Sequence, residues 1–214
     1  MMMLSSSDLL RQMSPISLPD PHTIVRVSKQ PVFDASGREV PFGNIFNERE
    51  TIVVFIRHFF CGSCQAYVSQ LASVHSEALE RANKQLVIVG CGEFQAINAY
   101  AETTKFKGPI YTDPSRSLYR LLKLVDSNLK TTPAGQERKS YLYNLPFIRV
   151  LFGSLWSGPL KHPSLIGKQG NVSQLGGEFI FGPGDLCSYA SRMEHTEDHV
   201  DVAELMHEAG VEYP

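Results

Sequence analysis

Apolar positions along the chain fall into short runs that switch between two periods. TIVVFIRHFF (51–60) and LVIVGCG (86–92) are dense in β-branched and aromatic residues, and both read as strands buried on two faces. From Cys64 onward Val68, Leu71, His75, Ala78, Leu79 and Ala82 recur at helical spacing, with Glu77, Glu80, Arg81 and Lys84 mostly elsewhere. This pattern predicts a helix from about residue 62 to about residue 84. A second helix is predicted in EFQAINAYAETTKF (93–106), a third extended segment in GPIYTD (108–113), and a short amphipathic helix in SRSLYRLLKLV (115–125). Strand and helix in alternation imply a parallel βαβ unit, with any site at the carboxyl ends of the strands.

The flanks carry different signals. PVFDASGREVPF (31–42) reads as a hairpin around Asp34-Ala35-Ser36-Gly37, and the Ser- and Pro-rich residues 1–22 as a short helix or loose N-terminal arm before a domain over 23–214. Regularity fails between about 126 and 174, which reads as a long insertion. It holds a polar loop (131–139) and an apolar, aromatic patch at 145–156 with the only Trp, Trp156. That patch suits either core packing or an exposed lid over Cys61. GEFIF, Gly182-Pro183-Gly184-Asp185 and LCSYASRM form a C-terminal hairpin, and a helix over about 201–209 closes an α/β chain.

The chemistry concentrates where the period changes. Cys61-Gly62-Ser63-Cys64 sits between the strand RHFF and the start of the long helix. A helix N-terminus stabilises a thiolate through its free N–H groups and macrodipole, and Arg57 and His58 add nearby positive charge. Helical spacing puts Cys64 on the Val68 and Leu71 face and leaves Cys61 nearer solvent, so Cys61 reads as nucleophile and Cys64 as its resolving partner. A zinc site would need a second pair, and Cys91 and Cys187 are single and far apart. A third reading keeps the cysteines as inert core residues.

Composition narrows the classes. In 214 residues, 43% are apolar and 20% charged, with net charge -2, which points away from nucleic acid and anionic membrane as partners. No run approaches the roughly 18 apolar residues of a membrane span. The N-terminus lacks the basic start and apolar core of an export signal, and four cysteines without one suggest a reducing, cytoplasmic setting. Cys91, in a Gly-Cys-Gly turn, and Cys187, in the last hairpin, read as structural. His195 and His199, near Glu194 and Asp198, suit a metal only on a helix and otherwise read as solvated or capping residues. No Gly-rich dinucleotide fingerprint follows a strand.

RHFFCGSC followed by QAYV, the stretch Gln174-Leu175-Gly176-Gly177-Glu178-Phe179-Ile180 and the terminal SRMEHTEDHVDVAELM resemble the peroxiredoxin-like 2 family, AhpC/TSA-type and selenoprotein U-like, in a fungal-type branch. The resemblance implies a thioredoxin-like fold, an antioxidant oxidoreductase activity and a redox-active Cys61–Cys64 disulfide. Arg57 matches a basic residue often seen upstream. Peroxides, endoperoxides or disulfides are the implied substrates. No cofactor would be bound; electrons would come from thioredoxin or glutathione, ultimately from NADPH. A thiol reductant protein is the expected partner and a homodimer an allowed assembly. Where peroxiredoxins have Thr or Ser and Pro ahead of the reactive cysteine, His58 and Val54 stand here. Where thioredoxins place a cis-Pro, Gly176 and Gly177 stand, which with Phe60 would line the substrate approach. Adaptation to one specialised metabolite and a non-catalytic binding module are the alternative functions.

Overall fold

The computed structural model describes residues 14–124, 129–143 and 162–213. The first 13 residues and the 145–156 patch with Trp156 lie outside them. Helix α1 (Pro21–Ser28) comes first, followed by strands β1 (Pro31–Phe33), β2 (Glu39–Pro41) and β3 (Glu50–Phe55). Helices α2 (Gly62–Leu71) and α3 (Ser76–Arg81) lead to β4 (Lys84–Gly90), α4 (Ile97–Thr104), β5 (Ile110–Thr112) and α5 (Ser117–Leu121). Strands β6 (Gly177–Gly182) and β7 (Leu186–Arg192) and helix α6 (Val202–Glu208) complete the described chain.

The strands form one mixed sheet in the order β2-β1-β5-β4-β3-β6-β7. β4 runs parallel to both β3 and β5, as the strand–helix alternation predicts, and β6 returns antiparallel beside β3. Both hairpins form as expected. In the first, Asp34 Oδ1 accepts from the Ser36 and Arg38 backbone N–H groups and tightens the turn.

Side-chain alternation divides two cores. Ile52, Val54, Leu86, Ile88 and Ile180 face one side, under α2, α4 and α6. Val53, Phe55, Val87, Val89, Phe179 and Phe181 face the other, under α1 and α5. Burial on both faces explains why these strands read as continuous apolar runs. Each fully buried large side chain contributes about 1.5–3 kcal/mol.

One helical expectation is corrected. The predicted 62–84 helix is two helices, interrupted at residues 72–75, where the Ser73 hydroxyl and N–H both bond the Gln70 carbonyl and end the first. The arm boundary drawn at residue 22 falls inside α1. Asp20 caps that helix by accepting from Thr23 N at 2.9 Å, with Pro21 in its first turn.

Tyr119, fully buried on α5, fastens the carboxyl ends of β3 and β4. Its hydroxyl lies 2.8 Å from the Ile56 carbonyl and 3.0 Å from that of Val89. Val89 O already accepts from Ile56 N, so Tyr119→Phe orphans chiefly Ile56 O. The expected cost is about 1–2 kcal/mol, read as a fall of roughly 2–8 °C in the thermal midpoint.

Candidate functional site

The chain leaves β3 at Phe55 and reaches Cys61 through a loop lying over the sheet's carboxyl edge. Its anchors come from residues far along the sequence. Phe59 N donates to the Gln169 carbonyl, and Gln65 Nε2 on α2 donates to the Phe59 carbonyl. The Arg57 guanidinium is buried, with 6% exposure, and three of its nitrogens are used: Nε to Gln174 O at 3.1 Å, Nη2 to Val172 O at 2.6 Å, and Nη1 to Cys61 Sγ at 3.2 Å. The two carbonyls fix the plane of the guanidinium and thereby aim its remaining edge at the sulfur.

Cys61 caps α2. Its sulfur accepts from Cys64 N at 3.4 Å, and the Ser63 hydroxyl lies 3.1 Å away while also 2.9 Å from the Thr196 carbonyl. Burial opposes ionisation of Cys61. The Cys64 hydrogen bond, the charges of Arg57 and His58 and the Ser63 hydroxyl outweigh it and bring the thiol well below its ordinary value. Cys64 shifts the opposite way: burial, then the bond to Cys61 and its charge, push that thiol well up. The two sulfurs are therefore unlike, one prepared as an anion and the other held as a thiol. Both are free in this state. Cys61 is the nearer of the two to solvent, as the helical spacing implies, but only slightly: it is 4% exposed and Cys64 not at all.

His58 is buried beside the pair, and burial lowers its pKa. Its Nδ1 finds no hydrogen-bond partner among the described residues. Phe60 is half-buried against the core on the α2 side. Gly176 and Gly177 do not line an open approach. Both are buried, and a Cβ would meet Phe55 O at 2.0 Å from Gly176 and Ser191 O at 2.3 Å from Gly177. Their small size serves close backbone packing. No peptide bond among the described residues is cis.

Cys91 donates to the Arg57 carbonyl at 3.0 Å, and burial pushes its thiol up to about 11. Cys187, on β7, donates to Tyr189 O at 3.1 Å and is likewise pushed up to about 11 by burial. Neither is prepared as a nucleophile.

The sequence reading missed one constellation. His199 is neither solvated nor a cap: it is completely buried. Its Nε2 lies 3.4 Å from Cys64 Sγ and its Nδ1 2.6 Å from Oε1 of Glu178, a carboxylate with no exposure on strand β6. The imidazole stacks on Tyr67 at 4.3 Å between centroids with 3° between planes, and its backbone N–H donates to the Tyr141 hydroxyl. Burial raises the Glu178 pKa, and the charge and hydrogen bond of His199 pull it back. Glu178 Oε2 has no partner at hydrogen-bond distance among the described residues, and the only other group that helps its charged form is the Val200 backbone nearby. A charged residue inside the apolar run LGGEFIF was the available signal, because such a group requires a buried partner. His195, by contrast, lies 3.7 Å from Asp198 on an irregular segment rather than a helix.

Known proteins resemble this chain in sequence or in architecture. The family described as AhpC/TSA antioxidant enzyme matches residues 70–195, beginning just after the cysteine pair. The chain is 33% identical to peroxiredoxin-like 2C of Homo sapiens over 195 residues, 87% of this chain and 80% of that protein. It is 28% identical to a chloroplastic thioredoxin-like protein of Arabidopsis thaliana over 179 residues, 82% and 68% of the two chains. Among solved structures, a peroxiredoxin 6 from Arenicola marina superposes with TM-score 0.56 at 12% identity, covering 85% of this chain and 69% of the other. The peroxidoxin BcpB from Mycobacterium tuberculosis gives 0.55 at 9% identity, covering 85% and 91%. At such identities these two structures speak for a thioredoxin-type fold alone.

Proposed function

Since the chain belongs to the AhpC/TSA antioxidant enzyme family and, within it, to the peroxiredoxin-like 2 proteins, we propose that it is a thiol-dependent oxidoreductase whose working couple is Cys61 and Cys64. Family and fold support a thiol-dependent redox function; the assignment to this pair rests on the residues. The observation that carries it is the sulfur of Cys61, held at the N-terminus of α2 by Arg57 Nη1, Cys64 N and the Ser63 hydroxyl. Those contacts favour the thiolate, the nucleophilic form.

In this reading the Cys61 thiolate attacks one oxygen of a hydroperoxide. The O–O bond breaks, an alkoxide or hydroxide leaves and takes up a proton, and Cys61 becomes a sulfenic acid. Cys64 then attacks that sulfur; water departs and a Cys61–Cys64 disulfide forms. An external dithiol of the thioredoxin or glutathione kind takes the disulfide back to two thiols. With Cys61 only 4% exposed, the access admits small hydroperoxides more readily than large disulfides.

Thiol titration and intact mass, before and after one equivalent of hydrogen peroxide, test the couple. The parent protein is expected to lose two thiols and two hydrogens in mass. Cys64→Ser should stop at a Cys61 sulfenic acid, one oxygen heavier, and Cys61→Ser should not respond. An unchanged parent protein with both thiols still titratable overturns the peroxide reading.

A further inference from the structure

The Cys61–Cys64 couple needs a proton acceptor at its buried end. Cys64 is fully enclosed in the core and must shed a proton before it can attack the Cys61 sulfenic acid. With no exposed surface at Cys64, the acceptor in direct reach of its proton is a protein group. Resting on the reading of the pair as a redox couple, we propose that His199 is the catalytic acid–base group for Cys64 and that Glu178 is its positioning residue.

The geometry supplies each part. With Glu178 ionised, Nδ1 of His199 carries the proton and donates to Oε1 at 2.6 Å, which leaves the Nε2 lone pair facing Cys64 Sγ at 3.4 Å. A buried carboxylate whose second oxygen lacks a partner is costly beside a neutral imidazole and far less so beside an imidazolium. The proton leaving Cys64 therefore goes where the local charge favours it. Stacking on Tyr67 and the backbone bond to Tyr141 fix the ring, so the imidazole cannot turn away from the sulfur. The neighbours of the dyad are Cys64 and Tyr67 on α2, Tyr141 on the short turn before residue 143, and Tyr189 and Asp198, whose fields reach Glu178 or its immediate surroundings. No cationic side chain contacts Glu178 in their place among the described residues.

Two half-reactions use the same proton. In oxidation, Cys64 passes its S–H proton to His199 Nε2 and its sulfur pair forms the S–S bond. The hydroxide leaves Cys61 on the side away from Cys64 and takes a proton from solvent to depart as water, while the imidazolium keeps the Cys64 proton for the reduction. In reduction, an external thiolate attacks Cys61, the S–S bond breaks toward Cys64, and the leaving thiolate is protonated by the imidazolium. Neither Nε2 nor Nδ1 contacts Cys61, so the first attack on peroxide is outside their reach.

The test separates those steps. After one equivalent of hydrogen peroxide, sulfenic acid on Cys61 is trapped with dimedone at set times, and disulfide is counted by mass. In His199→Gln, sulfenic acid should form at the parent rate and then persist, with ring closure slowed about 100-fold at neutral pH. The loss should shrink as pH rises, because the equilibrium fraction of Cys64 thiolate then grows without His199. Glu178→Gln, which keeps an acceptor for Nδ1 but removes the charge, should slow closure about tenfold with the same pH trend. Thiolate absorbance of Cys61 and far-ultraviolet circular dichroism report whether each variant keeps its fold. Closure at the parent rate in a folded His199→Gln protein overturns the proposal. So does an equal loss at every pH, or an equal loss in the first step, since either marks a structural role. If the parent protein forms no sulfenic acid, the peroxide reading falls separately. The same variants are then compared in reduction by dithiothreitol of the disulfide made with diamide, where an unchanged rate, or failure of the pair to form that disulfide, overturns the role of His199 as well.

Discussion

Replacing Arg57 with Met is expected to slow the reaction of Cys61 with peroxide at neutral pH by at least tenfold and to lower stability in the same protein. The guanidinium serves two masters: one edge faces Cys61 Sγ, and the other satisfies the carbonyls of Val172 and Gln174. Met keeps the stem's volume and removes every donor. Two carbonyls lose their partners at about 1–3 kcal/mol each where buried, so a loss of about 3 kcal/mol follows, a fall of roughly 6–12 °C in the thermal midpoint. The thiolate absorbance of Cys61 should appear at higher pH than in the parent. The pH dependence has a definite sign. The folded pKa of Cys61 lies below its unfolded value near ~8.5, so its ionisation stabilises the fold fully above the unfolded pKa, and that contribution is lost as pH falls through the folded one. The gap in midpoint between parent and Arg57→Met should therefore narrow in acid, down to the part due to the orphaned carbonyls. A gap independent of pH, with an unmoved thiolate titration, would show that Arg57 only braces the loop.

The second large effect is steric. Gly176→Ala places a methyl 2.0 Å from the Phe55 carbonyl oxygen, with the Phe55 carbonyl carbon and the Met193 sulfur next in line. The obstacle is main chain where β3 ends against the start of β6, so no side chain can rotate away, and relief requires the two strands to separate there. Overpacking of this kind costs about 1–3 kcal/mol or more, and here the upper end is expected. Phe55 leads straight into Arg57, and Gln174 lies two residues before Gly176, so the variant should also weaken the Arg57–Gln174 bond and raise the Cys61 pKa. Gly182→Ala, at the far end of the same strand, is the comparison. There the methyl meets only the Glu50 Cγ at 3.2 Å, a flexible side chain, and the midpoint should move little. Equal loss from the two substitutions would contradict this account.

Local pattern was enough for the elements that satisfy themselves locally. The β3 and β4 runs, the hairpins at 31–41 and 177–192, and the change of period at Cys61 all announce structure within a few residues. Capping and termination were harder to see. Asp20-Pro21-His22-Thr23 carries the side-chain cap of α1, yet Pro19 and Pro21 suggest a loose arm, and the end of α2 lies in a stretch whose apolar spacing runs on through Ala78 and Ala82. The site divided the same way. Cys61, Cys64 and Arg57 are within one short segment, and the sequence points to them together. Glu178 and His199 meet only because β6 lies beside β3 and the segment after β7 folds over α2. Their relation is a tertiary fact with no period to betray it. The roles expected of Gly176 and Gly177 failed for a similar reason: a missing side chain signals close approach, but not what approaches.

The backbone groups of residues 168–174 that hold the Cys61 loop also bear on how this domain can be rebuilt. Gln169 O receives Phe59 N, Lys168 O receives Glu93 N, and Val172 O and Gln174 O receive Arg57. These contacts use main-chain carbonyls, so the path of the strip matters most, and two of its residues are fixed as well: Gly170, where a Cβ would meet Cys91 Sγ at 2.7 Å, and Gln174, whose buried amide donates to Leu124 O and Leu175 O. A chimera that takes its cysteine loop from this chain must carry the strip with it as a cassette, together with the spacing that joins it to β6. A graft that ends upstream of Lys168 would transplant the sulfurs without the frame that gives them their unequal acidity.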